Sequence, residues 1–178
     1  MSGEEKTRRR PFAVSFLAVA LALAGIDLWT KAHWFDLHEP GGPTAAGPAL
    51  LGDWLRVHTA WNTGIPWGQL SGSPRVLAVV SGLAIAIILW IFYRRTRSAD
   101  PFFTFGLSLI LGGAAGNMYD RSVLPGVRDW ILFVPELPVI GQWPVFNVAD
   151  AGICVGAGLV LLSVLFASEE PAADAAVS

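Results

Sequence analysis

A chain of 178 residues is long enough for one domain and short for two. It is 53% hydrophobic and only 15% charged, where soluble domains carry about 25% charged residues, so the composition points to lipid as the solvent. A net charge of -2 with no basic face leaves no footprint for nucleic acid, and the single cysteine, Cys154, excludes an internal disulfide or a cysteine cluster for a metal.

In chain order, four apolar stretches approach the roughly 17–25 residues needed to cross the hydrocarbon core. They cover about 12–29, 76–93, 102–118 and 148–167. The third is the shortest and is interrupted by glycines. Lys6, Arg8, Arg9 and Arg10 precede the first, and Arg94, Arg95 and Arg97 separate the second from the third. These two short segments hold seven of the twelve Lys and Arg residues, which marks them as cytoplasmic. Both termini are then cytoplasmic, and the segments 32–75 and 119–145 face outward. A cleavable signal sequence is the competing reading of RRRPF followed by ALALAG. Against it, Asp27 and Lys31 come immediately after the apolar run, and cleavage would leave three spans.

The outward segments are more than connectors. Residues 36–50 are rich in Gly, Pro and Ala and read as a loop. Residues 51–70 and 126–134 mix aromatic and β-branched residues and suit short strands. PELPVIGQWP reads as a Pro-rich loop. Trp34, Trp54, Trp61, Trp67, Trp130 and Trp143 are placed to anchor at the membrane interface.

Ionisable residues within or at the mouth of membrane spans are costly and mark candidate sites. Here they are Asp27, Lys31, Asp120, Arg121, Asp129 and Asp150, accompanied by Asn62, Asn117 and Asn147, all toward the outer leaflet. Asp27 and Lys31 stand four apart on one helix face and can pair, either as a simple anchor or as part of a site. In GGAAGNMYDR (112–121), Gly112 and Gly116 allow close approach of another helix. Gly113, Asn117 and Asp120 form a stripe, and an Asp120–Arg121 charge pair is the bland alternative. Asp129 sits between Arg128 and Trp130 ahead of ILFV, and an apolar setting raises a carboxyl pKa. Asp150 follows Asn147 by three residues, a spacing that equally suits a helix cap.

Two adjacent aspartates can share a proton, one activating water while the other polarises a carbonyl. His33, His38 and His58 show no H-E-x-x-H spacing, no G-x-S-x-G elbow is present, and Cys154 lies in an apolar run and reads as core.

These elements together resemble the lipoprotein signal peptidase (signal peptidase II) family over nearly the whole chain. The matching elements are Asp27 with Lys31, the Asn62-Thr63-Gly64 triplet, GGAAGNMYDR, Gly126-Val127 with Asp129, and FNVAD (146–150). The resemblance implies an all-α membrane protein, with four transmembrane helices plus a small extracytoplasmic β-cradle and a short helix. It implies a single peptidase domain over 1–168, ahead of a disordered cytoplasmic tail at 169–178. It assigns Asp129 and Asp150 as the reacting pair and Asp120 as a supporting residue. Asn62, Asn117, Arg121 and Asn147 would line the pocket, with Asp27, Lys31 and Gly64 supporting.

The implied substrate is a diacylglyceryl-modified prolipoprotein cut just before its lipidated cysteine in the bacterial inner membrane. Globomycin is the implied inhibitor, a monomer the implied state, and no cofactor or metal is implied. Three departures stand out: Ile65-Pro66-Trp67 follows Gly64 where small residues are usual, the stretch 36–50 is richer in Gly and Pro than usual, and the interval from Asp129 to Asp150 is slightly long. A transporter or proton conductor using the same aspartates is an alternative, as is an inactive lipopeptide-binding relative.

Overall fold

The computed structural model describes residues 3–38, 40, 47–64, 74–95, 100–139 and 141–167. The Ile65-Pro66-Trp67 departure and the tail after Ser168 lie outside these residues. Among the described residues four helices carry the chain: α1 (Gly3–Leu37), α2 (Pro74–Arg95), α3 (Pro101–Val123) and α4 (Val148–Ala167). Each contains a segment long and apolar enough to cross a membrane: Ala13–Leu37, Arg75–Arg94, Pro101–Val123 and Val148–Phe166.

Two helices run further than their apolar stretches suggest. α1 continues past residue 29 to Leu37 because its last turns gain aromatic partners. There Trp34 stacks on Trp130 at 5.5 Å, and Phe35 meets Trp61 edge-on at 5.0 Å. α3 continues through Asn117, Asp120 and Arg121 to Val123, because the first two are buried against other helices rather than facing lipid. It starts at Asp100, whose side chain accepts from the main-chain N–H groups of Phe102 and Phe103, with Pro101 in the first turn.

α3 sits at the centre, and glycines let its neighbours come close. A Cβ on Gly112 would lie 2.5 Å from the Ala20 carbonyl oxygen of α1. One on Gly113 would meet the Ala149 carbonyl oxygen of α4, and one on Gly116 the Asp27 carboxylate. Nearer the N-terminal end of α3, Phe16, Ala20, Ile88, Leu107 and Leu111 make the apolar core, with Phe16 stacked on Phe92 at 3.8 Å.

Beyond the helices, β1 (Ala49–Leu51), β2 (Leu55–Asn62) and β3 (Val127–Phe133) form an antiparallel sheet in that order. The Pro-rich segment expected as plain loop contains a small hairpin, β4 (Glu136–Leu137) with β5 (Gly141–Gln142). The expected short helix has no counterpart among the described residues. Trp130, expected at the membrane interface, is 7% exposed, because it packs inward on Trp34.

The register of β2 on β3 sets which side chains share a face. Val57 pairs with Ile131, but Ala60 pairs with Asp129, so β2 carries one extra residue between them. Without that bulge Thr59 would oppose Asp129, and Asn62 would point to the opposite face. With it, Asn62 shares the face of Asp129.

Candidate active site

Asp129 stands in the middle of β3, and Asp150 in the first turn of α4. One short connection brings them together. The Phe146 carbonyl accepts from the main-chain N–H groups of Trp130 (3.0 Å) and Ile131 (2.8 Å), and Phe146 N–H donates to the Ile131 carbonyl at 3.0 Å. The residue after this bridge is Asn147, and α4 begins at Val148. A cap and a ladder contact thus share one tripeptide, and that fixes the strand carboxylate relative to the helix carboxylate.

Asn147 and Asp150 form a reciprocal cap. Asn147 Oδ1 accepts from Asp150 N–H at 2.9 Å, and Asp150 Oδ2 accepts from Asn147 N–H at 3.2 Å. The capping alternative for this pair is therefore realised. Asn147 Nδ2 also donates to Asp129 Oδ1 at 2.5 Å, so one side chain holds both elements.

Three amides donate to the two carboxyl groups, and each has its oxygen occupied by a donor that cannot turn round. Asn62 Nδ2 donates to Asp129 Oδ2 at 3.0 Å, while its Oδ1 accepts from Gly64 N–H at 3.1 Å. Asn117 Nδ2 donates to Asp150 Oδ1 at 2.8 Å, while its Oδ1 accepts from Lys31 Nζ at 2.8 Å. In Asn147 the Asp150 N–H does the same work. Every oxygen of Asp129 and Asp150 thus accepts one N–H.

Beneath this layer is a fully buried charge network. Lys31 Nζ lies 2.7 Å from Asp27 Oδ2 and 3.5 Å from Asp120 Oδ2. Asp27 Oδ1 accepts from Ala149 N–H at 2.9 Å, satisfying a free donor at the start of α4. The Asp120–Arg121 charge pair, the bland alternative for these residues, has no counterpart among the described residues. Asp120 instead takes a bidentate pair from Arg128, with Nη2 at 2.8 Å and Nε at 3.2 Å, plus the Arg128 main-chain N–H at 3.0 Å. Neighbouring residues on a helix point apart, whereas the turn after Val123 brings β3 back over Asp120. Arg128 joins the network without having been singled out by its sequence setting. The signal for it is strand alternation, which turns its side chain away from that of Asp129.

Burial, and then the Asp150 charge, push the Asp129 carboxyl up to about 7. Arg121 borders a cleft of about 560 Å³ together with Asn62 and Asp150. The walls of this cleft are apolar: Phe133, Leu137, Trp143 and Phe146 from the strands and the segment before α4, Ile153 and Cys154 along α4. Cys154 is exposed there rather than part of the core, since it lies one turn beyond Asp150 on the same helix face. The sequence-predicted residues Asp27, Lys31, Asn62, Asn117, Asp120, Asp129, Asn147 and Asp150 all meet in this network. Gly64 touches it through Asn62, and Arg121 joins it from the cleft side.

Membrane-crossing helices that converge on paired carboxyl groups, beside a cleft with apolar walls, define a polytopic membrane protein with a site suited to acid–base chemistry. A family model described as "Signal peptidase (SPase) II" matches residues 19–166. Lipoprotein signal peptidase of Mycobacterium tuberculosis (strain ATCC 25618 / H37Rv) is 32% identical over 152 residues, 84% of this chain and 70% of that protein. Lipoprotein signal peptidase of Chlorobium phaeobacteroides (strain BS1) is 35% identical over 153 residues, 83% of this chain and 92% of that protein. A bacterial membrane enzyme structure determined by the in meso method at 2.3 Å resolution shares the fold. Its TM-score is 0.73 at 23% identity, over 87% of this chain and 90% of that one. The chain belongs to the signal peptidase II family.

Proposed function

We propose that this protein is the endopeptidase that removes signal peptides from diacylglyceryl-modified prolipoproteins, with Asp129 and Asp150 activating water. The observation that carries the reading is the arrangement of these two carboxyl groups, each oxygen held by one N–H donor and Asp150 opening to the cleft. The reaction needs one carboxylate to take a proton from water and one carboxyl group to donate to the scissile carbonyl.

Charge balance supports a shared proton. Asp27, Asp120, Asp129 and Asp150 face Lys31, Arg121 and Arg128 in and beside the buried network. Four carboxyl groups against three cations are neutral when one proton is retained, and uncompensated buried charge is costly. The apolar walls suit a substrate whose lipid chains stay in the bilayer while its peptide enters beside α4. Asn62 and Arg121 line the pocket, Asn117 and Asn147 are buried behind it and order the carboxyl pair, and Asp27, Lys31, Gly64 and Asp120 support it. Both termini lie in the cytoplasm, the site faces outward, the protein works as a monomer, and globomycin competes for the cleft.

The test uses the full chain, purified in detergent, with a diacylglyceryl-modified prolipoprotein as substrate and release of the signal peptide as readout. Asp129→Asn and Asp150→Asn should each abolish release while leaving the protein folded. Full activity of either variant, or no cleavage by folded wild type across several substrates, overturns the reading.

A further inference from the structure

The pair of carboxyl groups is symmetric in its hydrogen bonds and asymmetric in its charges. Asp129 and Asp150 each accept two N–H groups, so donor count does not distinguish them. Their surroundings do. Asp150 lies in the first turn of α4, where the helix N-terminus favours negative charge. It borders the cleft together with Arg121, whose Nε is buried and has no hydrogen-bond partner among the described residues. Its other donor, Asn117, is polarised from behind by the Lys31 ammonium at 2.8 Å. Asp129 is 2% exposed in the middle of a strand, and its side-chain donors are the neutral amides of Asn62 and Asn147.

Each element packed against the pair brings its own ionisable groups. α1 contributes Asp27 and Lys31, which neutralise each other at 2.7 Å. α3 contributes Arg121 and Asp120, the latter tied to Arg128 of β3 at 2.8 Å. From β2 comes Asn62 without a charge. Among the described residues around the pair, the cation outside these ion pairs is Arg121, which acts on Asp150 first and on Asp129 second.

Resting on the peptidase reading, we infer that Asp150 is the ionised member that activates water and Asp129 the protonated member that polarises the scissile carbonyl, with Lys31 a positioning residue acting on Asp150 through the Asn117 amide. In the first step Asp150 takes a proton from water. The water oxygen bonds to the carbonyl carbon, and Asp129 gives its proton to the carbonyl oxygen. In the second step Asp150 returns its proton to the leaving nitrogen as the C–N bond breaks. Asp129 recovers a proton from one hydroxyl of the intermediate. Both groups then stand as they began.

The pH dependence of kcat/KM separates the two assignments, because each carboxyl group has a private donor. Asn117→Leu removes a donor from the Asp150 carboxylate and makes it harder to ionise, so the acid limb should move up by about one pH unit. Asn62→Leu removes a donor from Asp129, which then stays protonated to higher pH, so the alkaline limb should move up instead. Lys31→Met should move the acid limb further than the alkaline limb, because the Lys31 charge reaches both carboxyl groups but its amide relay through Asn117 reaches only Asp150. If Asn117→Leu moves the alkaline limb and Asn62→Leu the acid limb, the roles are reversed and the inference fails while the peptidase reading stands. An inactive wild type overturns the peptidase reading itself.

A stability measurement at pH 6 covers variants too inactive to assay. Asparagine imitates a protonated carboxyl group, so Asp129→Asn should melt within about 2 °C of wild type. Asp150→Asn, which strips Arg121 of its counter-charge, should melt clearly lower. The opposite order also overturns the assignment.

Discussion

Helices α2 and α3 have nearly equal lengths, 22 and 23 residues. Over its membrane segment, however, α3 is 56% buried inside the protein and α2 only 11%. Their mean hydropathies run the opposite way, 1.2 for α3 and 2.6 for α2. A helix that faces lipid must present apolar side chains around most of its surface, because no partner is there to satisfy a polar one. A helix surrounded by other helices is freed from that demand. α3 uses the freedom for glycines that admit its neighbours and for Asn117 and Asp120, whose partners come from α1, α4 and β3. The weakest membrane segment by hydropathy is therefore the one whose Asn117 donates to the Asp150 carboxyl group and whose Asp120 anchors the charge network beneath it.

The contrast can be broken at several places, and the largest effect is expected at the carboxyl pair. Asp129→Asn and Asp150→Asn should each lower kcat by at least about 10³-fold. Truncating lipid-facing residues of α2, such as Val79→Ala or Leu83→Ala, should leave cleavage within about twofold, since both side chains are exposed to lipid. Cleavage assays on matched amounts of folded protein decide this.

Next in size is the packing of α3. In Gly116→Ala the new methyl group would press on the Asp27 carboxylate and force apart the pair that holds Lys31. Loss of about 2 kcal/mol or more, with loss of activity, is expected for overpacking at such a contact. Gly158→Ala of α4, where nothing lies within 4 Å, should instead raise stability by up to about 1 kcal/mol through helix propensity. Thermal unfolding in detergent distinguishes the two.

A smaller, pH-dependent effect should come from Asp129. Its carboxyl is raised from 3.8 to about 7, so between these values the folded state holds a proton that the unfolded chain has lost. Its contribution is fully present below about pH 4 and is lost as pH rises through about 7. Asp129→Asn cannot ionise. Its melting temperature relative to wild type should therefore rise from pH 5 to pH 8, and a flat difference would contradict the burial argument.

The smallest effect lies at the far end of α3. Asp100→Ala removes a cap that accepts from Phe102 and Phe103 N–H and from Ser163 of α4. A cost of about 1 kcal/mol is typical for such a cap, with activity per folded molecule unchanged.

Much of this architecture is legible in the order of residues. Runs of apolar side chains mark all four spans, because lipid leaves no other way to bury a helix backbone. The Asp27–Lys31 pair follows from helical spacing. The small-residue face of Gly112 and Gly116 is visible, and Asn147 and Asp150 announce a cap. The strands at 55–62 and 127–133 show in their β-branched and aromatic content.

Local pattern does not supply partnership across the chain. Asp120 is next to Arg121 in sequence, yet its partner is Arg128, because a helix separates adjacent side chains and a returning strand does not. Cys154 reads as core because its neighbours in sequence are apolar, but in a membrane an apolar run is equally the outside. Trp130 reads as an interfacial anchor until Trp34 gives it an inward partner.

Residue order thus dictates that this protein lives in lipid, how many times it crosses, and which polar residues gather at one depth. Those properties come from solvation, which each segment meets alone. Three others arise only when the segments pack: one extra residue in β2 turns Asn62 toward Asp129, Phe146 ties β3 to the start of α4, and Lys31 polarises the amide facing Asp150. They depend on register and approach between residues 15 to 86 apart in sequence, where a shift of one residue would turn each side chain to the wrong face.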